Sequence, residues 1–143
     1  MVLIHDAKKG EIFMKLNPRE LEVLKILHES DRALTSTEIV NSGVGLTQST
    51  VQAVLRKLLA NELVEVQGVT HSGNVLSRTF GPTAKSKDVL TDKFLQDYKS
   101  FRAIIGMPAA LAGMFNVSAT ESERNQDIKD LEKLLSDLKK QKK

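Results

Sequence analysis

The sequence predicts a mainly α-helical protein with one small β-hairpin, and three observations support this fold class. Apolar residues recur at helical spacing in several segments, the first of them residues 18–28. Two β-rich runs, residues 63–67 and 75–80, enclose a turn sequence. The predicted order of helix, helix, helix, strand, strand is typical of a winged helix-turn-helix domain. A C-terminal helical region for dimerisation is expected to follow.

The length of 143 residues fits one small domain with an appended module. We expect residues 1–15 to form an N-terminal arm and residues 16–83 to form the winged-helix domain. Residues 84–143 are then expected to form the helical dimerisation region.

The first two helices are each predicted from a capping box. Asn17 with Glu20 opens the first helix, and Thr35 with Glu38 opens the second. We expect Gly43 to end the second helix in a left-handed conformation, because glycine adopts positive φ without steric cost.

The third helix is predicted from Gln48 to about Asn61, with Thr47 as its cap. Its apolar side chains follow the i, i+3, i+4, i+7 spacing of a buried helix face. This stripe consists of Val51, Val54, Leu55, Leu58 and Leu59. The opposite face is polar and contains no acidic residue.

The two β-rich runs predict a hairpin whose loop is longer than two residues and includes His71–Asn74. Gly81–Pro82 is expected to end it, because proline has no N–H for the ladder. Arg78 shares strand parity with Leu76 and Phe80, and we expect these two apolar side chains to be buried.

Three further helices are predicted after the hairpin. One runs from Ala84 to Gly106, a short one covers Ala109–Phe115, and the last follows a capping box of Thr120 with Glu123. The apolar stripes of these helices must be buried against another surface. We expect a second copy of the chain to bury them, and packing against the chain's own winged-helix domain is the alternative. The expected dimer interface comprises Leu90, Phe94, Tyr98, Phe101, Ile104, Ile105, Met107, Leu111, Met114, Phe115, Leu131, Leu134, Leu135 and Leu138.

Composition excludes several classes of protein. The absence of cysteine excludes a disulfide scaffold and a thiolate metal site. No metalloprotease, nucleophile-elbow, dinucleotide-binding or P-loop motif occurs, so we expect no enzymatic activity, no metal and no cofactor. We also expect a cytoplasmic protein with no membrane partner, because neither a secretion signal nor a membrane-spanning apolar run is visible.

The charge distribution favours a nucleic-acid partner more than the net charge of +3 does. Residues 39–61 and 66–87 contain no aspartate or glutamate but contain several lysines and arginines. A surface with cations and no acids is suited to phosphate. An ordinary polar surface is the alternative interpretation.

The third helix therefore becomes the candidate reader of a double-stranded DNA operator, since a major groove accepts one helix with short polar side chains. Helix residues, the second helix start and the hairpin supply the expected contacts. These are Ser36, Thr37, Thr47, Gln48, Ser49, Thr50, Gln52, Ala53, Arg56, Lys57, His71, Asn74 and Arg78. Arg56 and Lys57 are expected on phosphate.

Each of these residues also has a purely structural interpretation. Gln48, Ser49 and Thr50 suit a helix start, Arg56 and Lys57 suit a solvated face, and His71 suits a turn. A winged helix that binds another protein is the alternative function. The polar, acid-free face of the third helix argues against it.

The chain resembles the penicillinase repressor family over residues 16–138. The matching segments are Leu21–Leu24, Thr35–Ile39, Ser49–Leu58 and Arg78–Pro82. The resemblance implies a homodimeric winged-helix repressor that binds palindromic operators and dimerises through its C-terminal helices. Some members are cleaved at an Asn–Phe bond, where this chain has Met114–Phe115. The sequence identifies no small-molecule effector.

Overall fold

The computed structural model describes residues 15–117 and 120–141, except for the side chain of Ser72. The elements, in chain order, are α1 (Pro18–Glu29), α2 (Ser36–Ser42), α3 (Gln48–Ala60), β1 (Val64–Ser72), β2 (Val75–Pro82), α4 (Ala84–Phe101), α5 (Met107–Asn116) and α6 (Glu121–Gln141). This mainly helical order with one antiparallel hairpin confirms the predicted fold class. The predicted arm, apart from Lys15, and residues 142–143 of the lysine-rich end lie outside the described residues.

The hydrophobic core belongs to the first of two compact units, which ends at Gln96. Its buried side chains come from the first three helices, the hairpin, the connecting segments and α4. They are Val23, Leu24, Leu27, Leu34, Ile39, Leu46, Val51, Val54, Leu55, Leu58, Leu63, Val64, Phe80 and Val89. In the second unit, which begins at Asp97, no described side chain is fully buried.

The capping boxes predicted for the first two helices are both confirmed. The Glu20 N–H donates to Asn17 Oδ1 over 2.8 Å, and the Asn17 N–H donates to Glu20 Oε1 over 2.9 Å. At α2, the Glu38 N–H donates to Thr35 Oγ1 over 3.2 Å and the Thr35 N–H to Glu38 Oε1 over 2.9 Å. These bonds satisfy N–H groups that a helix start otherwise leaves without a partner.

Gly43 ends α2 as predicted, but the expected left-handed conformation is wrong, because its φ is −103°. The left-handed glycine is Gly45, with a φ of 73°. Gly43 is instead required for close packing, since a Cβ built there would lie 2.9 Å from Leu46 Cγ. Leu46 is a core residue, so the chain must pass close to it to enter α3.

The hairpin is longer than predicted, and its loop has only two residues, Gly73 and Asn74. Gly73 has a φ of 69° at the first loop position, where tight hairpin turns favour glycine. β1 continues to Ser72 through a bulge between Val66 and Gly68, which the alternation rule does not anticipate. His71 therefore lies in β1 and not in the loop.

The end of the hairpin also differs from the prediction. β2 includes Pro82, which pairs with Val64 at the last position of the ladder. Proline is tolerated at the edge or end of a strand. The strand therefore ends at Pro82, two residues later than the predicted end at Phe80.

Phe80 anchors β2 to the helical core, as expected, and is 5% exposed. Its N–H and C=O exchange hydrogen bonds of 2.8 and 3.0 Å with Leu34, in the α1–α2 connection. The expectation that Leu76 is buried is wrong, because it is 63% exposed. Leu76 has the right strand parity, but it pairs with His71 near the hairpin tip, beyond the reach of the core.

The later helices are confirmed with shifted ends. α4 ends at Phe101, because the Ile104 and Ile105 N–H groups both fold back onto its carbonyl. α5 begins at Met107, two residues earlier than predicted. Before α6, the Glu123 N–H donates to Thr120 Oγ1 over 3.1 Å, which is one half of the expected capping box.

Candidate nucleic-acid interface

The starts of α2 and α3 lie side by side. The Gln48 side-chain amide donates to Ser36 Oγ over 2.8 Å, although the residues are twelve positions apart. Thr47 caps α3, since its Oγ1 accepts from the Thr50 N–H over 3.2 Å. The helix-turn-helix geometry therefore brings the predicted residues Ser36, Thr47, Gln48 and Thr50 together.

The predicted reading face of α3 is open to solvent. Gln48, Ser49, Gln52, Ala53 and Arg56 are all exposed, while the opposite side of the helix is buried in the core. Short polar side chains at the start of a helix with a cation one or two turns later suit a major groove.

Two members of the predicted site, Thr47 and Thr50, hydrogen-bond to each other at the start of α3. Thr50 is half-buried, and its Oγ1 accepts a hydrogen bond of 2.9 Å from the Thr47 hydroxyl. Thr37 is exposed in the first turn of α2. The structural interpretation of Thr47 and Thr50 as helix-start residues is therefore supported.

A groove of about 290 Å³ separates α3 from β2. Its lining residues are Ser36, Gln52, Leu55, Arg56, Leu59, Ser77, Arg78 and Phe80. Arg56 and Arg78 are the charged members of this lining, which contains no carboxylate. An anionic polymer that enters the groove would therefore meet two guanidinium groups and no acid.

Arg78 is held in place by the side chain that anchors β2. Its guanidinium carbon lies 5.6 Å from the centre of the Phe80 ring, in a cation–π arrangement. Of the two apolar residues that share its strand parity, Arg78 therefore contacts the buried Phe80, while Leu76 is exposed. The ring contact orients the arginine without neutralising it.

Lys57 differs from Arg56, its neighbour on α3. Its Nζ forms an ion pair of 2.7 Å with Glu20 Oε2 of α1, although Lys57 itself remains exposed. The sequence predicted Glu20 only as a capping residue and therefore missed this partner. The two residues are distant in the sequence, so no short-range pattern could have linked them.

His71 and Asn74 lie at the outer end of the hairpin, and both are exposed. His71 also borders a cavity of about 350 Å³ between the hairpin and the start of α2, together with Thr37 and Glu38. The hairpin therefore brings His71 near α2 but leaves Asn74 at the tip.

Glu38, the acidic residue beside this cavity, is neutralised locally. Arg32 forms a two-pronged ion pair with it, with N–O distances of 3.2 and 2.6 Å. The hydrogen bond from Arg32 and that from the Thr35 N–H lower the pKa of Glu38 to about 2. The acid at the start of α2 is thus balanced by a cation of its own.

The residues predicted for the dimer interface mostly remain exposed. The larger exposed ones are Phe94, Phe101, Ile104, Ile105, Met107, Met114, Leu134, Leu135 and Leu138. Tyr98 is half-buried, and its hydroxyl donates to the Ile105 carbonyl over 3.5 Å. Leu111, Phe115 and Leu131 line a cavity of about 330 Å³ between α5 and α6. Leu90 differs, because it packs against the core of the first unit.

Neither a metal site nor a membrane-spanning helix is found in the described part of the chain. No group of three or more His, Asp or Glu side chains within residues 15–117 and 120–141 is arranged to hold a metal ion. Over the same ranges, no helix has both the length and the apolar character needed to cross a bilayer.

Comparisons with known proteins show similarity in structure but not in sequence. No family model and no curated protein matches the chain. A variant of the regulator MepR from Staphylococcus aureus matches with a TM-score of 0.50 and 21% identity over 92% of this chain and 85% of that one. ZitR from Lactococcus lactis matches with a TM-score of 0.47 and 19% identity over 96% and 84%.

A PadR-family transcription regulator from Clostridium difficile matches with a TM-score of 0.47 and 17% identity over 62% of this chain and 94% of that one. At these identities the MepR match shows the fold alone, and that fold is the winged helix. The narrower resemblance to penicillinase repressors is not confirmed by these matches.

Proposed function

We propose that this protein is a sequence-specific DNA-binding transcriptional regulator, a homodimeric repressor that binds a palindromic operator. The observation that carries the proposal is the groove between α3 and β2. Its walls carry Arg56 and Arg78 and no carboxylate, and it opens beside the exposed polar face of α3. A phosphate backbone is the ligand that this combination of charge and shape fits best.

In the proposed complex, α3 enters the major groove, which is about 12 Å wide. Gln48 and Gln52 are suited to bidentate hydrogen bonds with adenine, Ser49 to either base type, and Ala53 to a thymine methyl group. Arg56 and Arg78 are then directed at phosphate, which positions the protein but carries no sequence information. Specificity would therefore come from the first two turns of α3.

The hairpin serves as the wing of this complex. His71 and Asn74 are exposed at its outer end and carry polar groups that suit the sugar–phosphate backbone or the minor groove. Ser36 and Thr37 at the start of α2 are proposed as further backbone contacts. Thr47 and Thr50 are proposed to act mainly by capping α3, in view of their hydrogen bonds to each other.

The second unit is proposed as the dimerisation region. Its exposed apolar side chains, Phe101, Ile104, Met107 and Leu135 among them, lack enough cover for a soluble monomer. A two-fold dimer would present two copies of α3 about 34–36 Å apart, which matches half-sites one DNA turn apart. Membership of the penicillinase repressor family would explain the same assembly and is supported here by the sequence segments alone.

The direct test is selection from a randomised duplex pool by the purified protein at one fixed salt concentration. A two-fold symmetric consensus in the bound fraction is the expected result. Binding without enrichment, abolished by salt, would leave only backbone attraction. Absence of binding at low salt would overturn the proposed function altogether.

A winged helix that binds another protein is the second candidate, and the hairpin tip favours it. Val69, Val75 and Leu76 are each more than 60% exposed there. Exposed apolar side chains of this kind suit contact with another protein. The selection experiment separates the two candidates, because only the first predicts an enriched DNA sequence.

A further inference from the structure

Glu20 is a charged residue in the core of the first unit. Its side chain is 2% exposed, and both carboxylate oxygens have partners. Oε1 accepts from the Asn17 N–H over 2.9 Å, and Oε2 lies 2.7 Å from Lys57 Nζ. A buried carboxylate requires such compensation, because removal of its partner leaves a charge in a medium of low dielectric constant.

The partner, Lys57, belongs to the proposed DNA-reading helix. It lies one position after Arg56, so the two cations diverge by about 100° around α3. Arg56 lines the groove towards β2, whereas Lys57 is paired with α1. Within the described residues, Arg56 makes no hydrogen bond or ion pair with another side chain. Arg56 is therefore free to bind an anion, whereas Lys57 is already paired with one.

The difference has a consequence for binding to DNA. Each lysine or arginine that neutralises a phosphate releases counterions, and this contribution is the same for every sequence. A lysine paired with a buried carboxylate already has its charge balanced by that carboxylate, so it contributes less at a phosphate unless the pair separates. Separation would also leave Glu20 buried without its cation, which is costly.

We propose that Glu20 withholds Lys57 from the DNA backbone and thereby limits the sequence-independent affinity of this protein. The inference rests on the proposed function, since it concerns the same helix. Glu20 acts through Lys57 and is a positioning residue, which touches no DNA itself. Low non-specific affinity is useful to a regulator, because a genome offers a very large excess of competing sites.

The test measures binding to a duplex of unrelated sequence as a function of salt concentration. Glu20→Gln keeps the side-chain length and an oxygen that can accept from the Asn17 N–H. It removes the negative charge that holds Lys57. We expect the slope of log K against log salt to steepen by roughly 0.9 per protomer. Affinity at about 0.1 M salt should rise roughly five- to ten-fold per protomer.

Two further variants isolate Lys57 as the cause. Lys57→Gln should have the slope of the parent protein, and Glu20→Gln combined with Lys57→Gln should return to that slope. Glu29→Gln is the matched control, because it removes one negative charge from an exposed position on α1. It should change neither slope nor affinity appreciably.

Several results would overturn the inference. A parental slope in Glu20→Gln would show that Lys57 is not withheld, and a slope reduced by roughly 0.9 in Lys57→Gln would show that it already contacts phosphate. If Glu20→Gln does not fold, judged by circular dichroism, a Lys57→Gln variant that does fold still tests the inference, because a slope reduced by roughly 0.9 overturns it and a parental slope supports it. A parent protein with no salt-dependent DNA binding would remove the proposed function itself, whereas the first two results leave that function intact.

Discussion

At the scale of single residues, Glu38 shows how one side chain can join a helix start to the segment that precedes it. Its Oε1 accepts from the Thr35 N–H and closes the cap of α2. The same carboxylate is paired with Arg32 of the α1–α2 connection, and the residue borders the cavity beside the hairpin. Loss of its charge should therefore loosen the start of α2.

The pKa of Glu38 predicts how this contribution depends on pH. The pKa is 4.5 for the unperturbed carboxyl and about 2 in the folded protein, mainly because Arg32 donates to it. A depressed folded-state pKa means that the unfolded chain binds the proton first as the pH falls. The stability that Glu38 provides is thus complete above about pH 4.5 and is lost towards pH 2.

We expect Glu38→Gln to lower the urea midpoint at pH 7 and to lower it much less near pH 2, where the carboxylate is already partly protonated. The effect at pH 7 should be modest, because the side chain is 37% exposed and solvent screens the pair. Urea unfolding of both proteins at the two pH values measures the difference. An equal difference at both values would mean that the carboxylate charge contributes nothing.

At the scale of elements, the hairpin has an inner half attached to the core and an outer half that is free of it. Phe80 at the inner end is 5% exposed, whereas Leu76 at the outer end is 63% exposed. Both have the same strand parity, so their different burial follows from distance along the strand. The two positions provide a matched pair for mutation.

Phe80→Ala should destabilise the first unit by about 3–5 kcal/mol, since it removes a buried aromatic side chain. Leu76→Ala should change the free energy of unfolding by less than about 0.5 kcal/mol, as is usual for exposed positions. Chemical denaturation of the two variants beside the parent measures both effects. A large loss of stability in Leu76→Ala would mean that Leu76 packs against another surface in solution.

Local rules predicted the elements of the first unit well, because their signals are short-range. The capping boxes of Asn17 and Thr35 and the apolar stripe of α3 depend on residues three or four positions apart. The bulge at Gln67 and the Leu34–Phe80 pairing depend on distant parts of the chain, and periodicity carries no signal for them. The Glu20–Lys57 pair was missed for the same reason.

For α3, the proposed division between positioning and reading leads to a paired prediction. Arg56→Ala should weaken binding to all duplexes similarly and reduce the salt slope by roughly 0.9 per protomer. Gln52→Ala should instead change the base preference at one operator position. The difference in binding free energy between the right and the wrong base there should fall by about 1–3 kcal/mol. Competition binding to a set of single-base operator variants measures both.

Lys25→Ala is the control for these two variants, because it removes an exposed cation of α1 that does not line the groove. It should leave both the salt slope and the base preference unchanged. If Arg56→Ala and Gln52→Ala also bind every duplex as the parent does, α3 is not the reading helix.

At the scale of the whole molecule, the two units differ in how far they bury their apolar side chains. The first unit buries fourteen hydrophobic residues in its own core. In the second unit, α6 presents Ile128, Leu134, Leu135 and Leu138 with more than a third of each side chain exposed. An exposed apolar stripe of this kind needs a partner, and a second copy of the chain is the partner that we propose.

Leu135 is suited to test the proposed dimer, because it is 56% exposed and lies within this stripe. Leu135→Glu would place a charge in the proposed interface, where it would lose its hydration. We expect the parent protein to have about twice the chain mass of 15.8 kDa at micromolar concentration, and the variant to have the mass of one chain. Sedimentation equilibrium measures both masses.

Ser136→Glu is the matched control, since it adds the same charge at the next residue of α6, on an exposed polar face. It should keep the mass of the parent protein. Because a two-fold operator is read by two copies of α3, Leu135→Glu should also lose affinity for the full site while binding a half-site as the parent chain would. A parent protein with the mass of one chain would exclude the dimer, and equal behaviour of the two variants would place the interface away from Leu135.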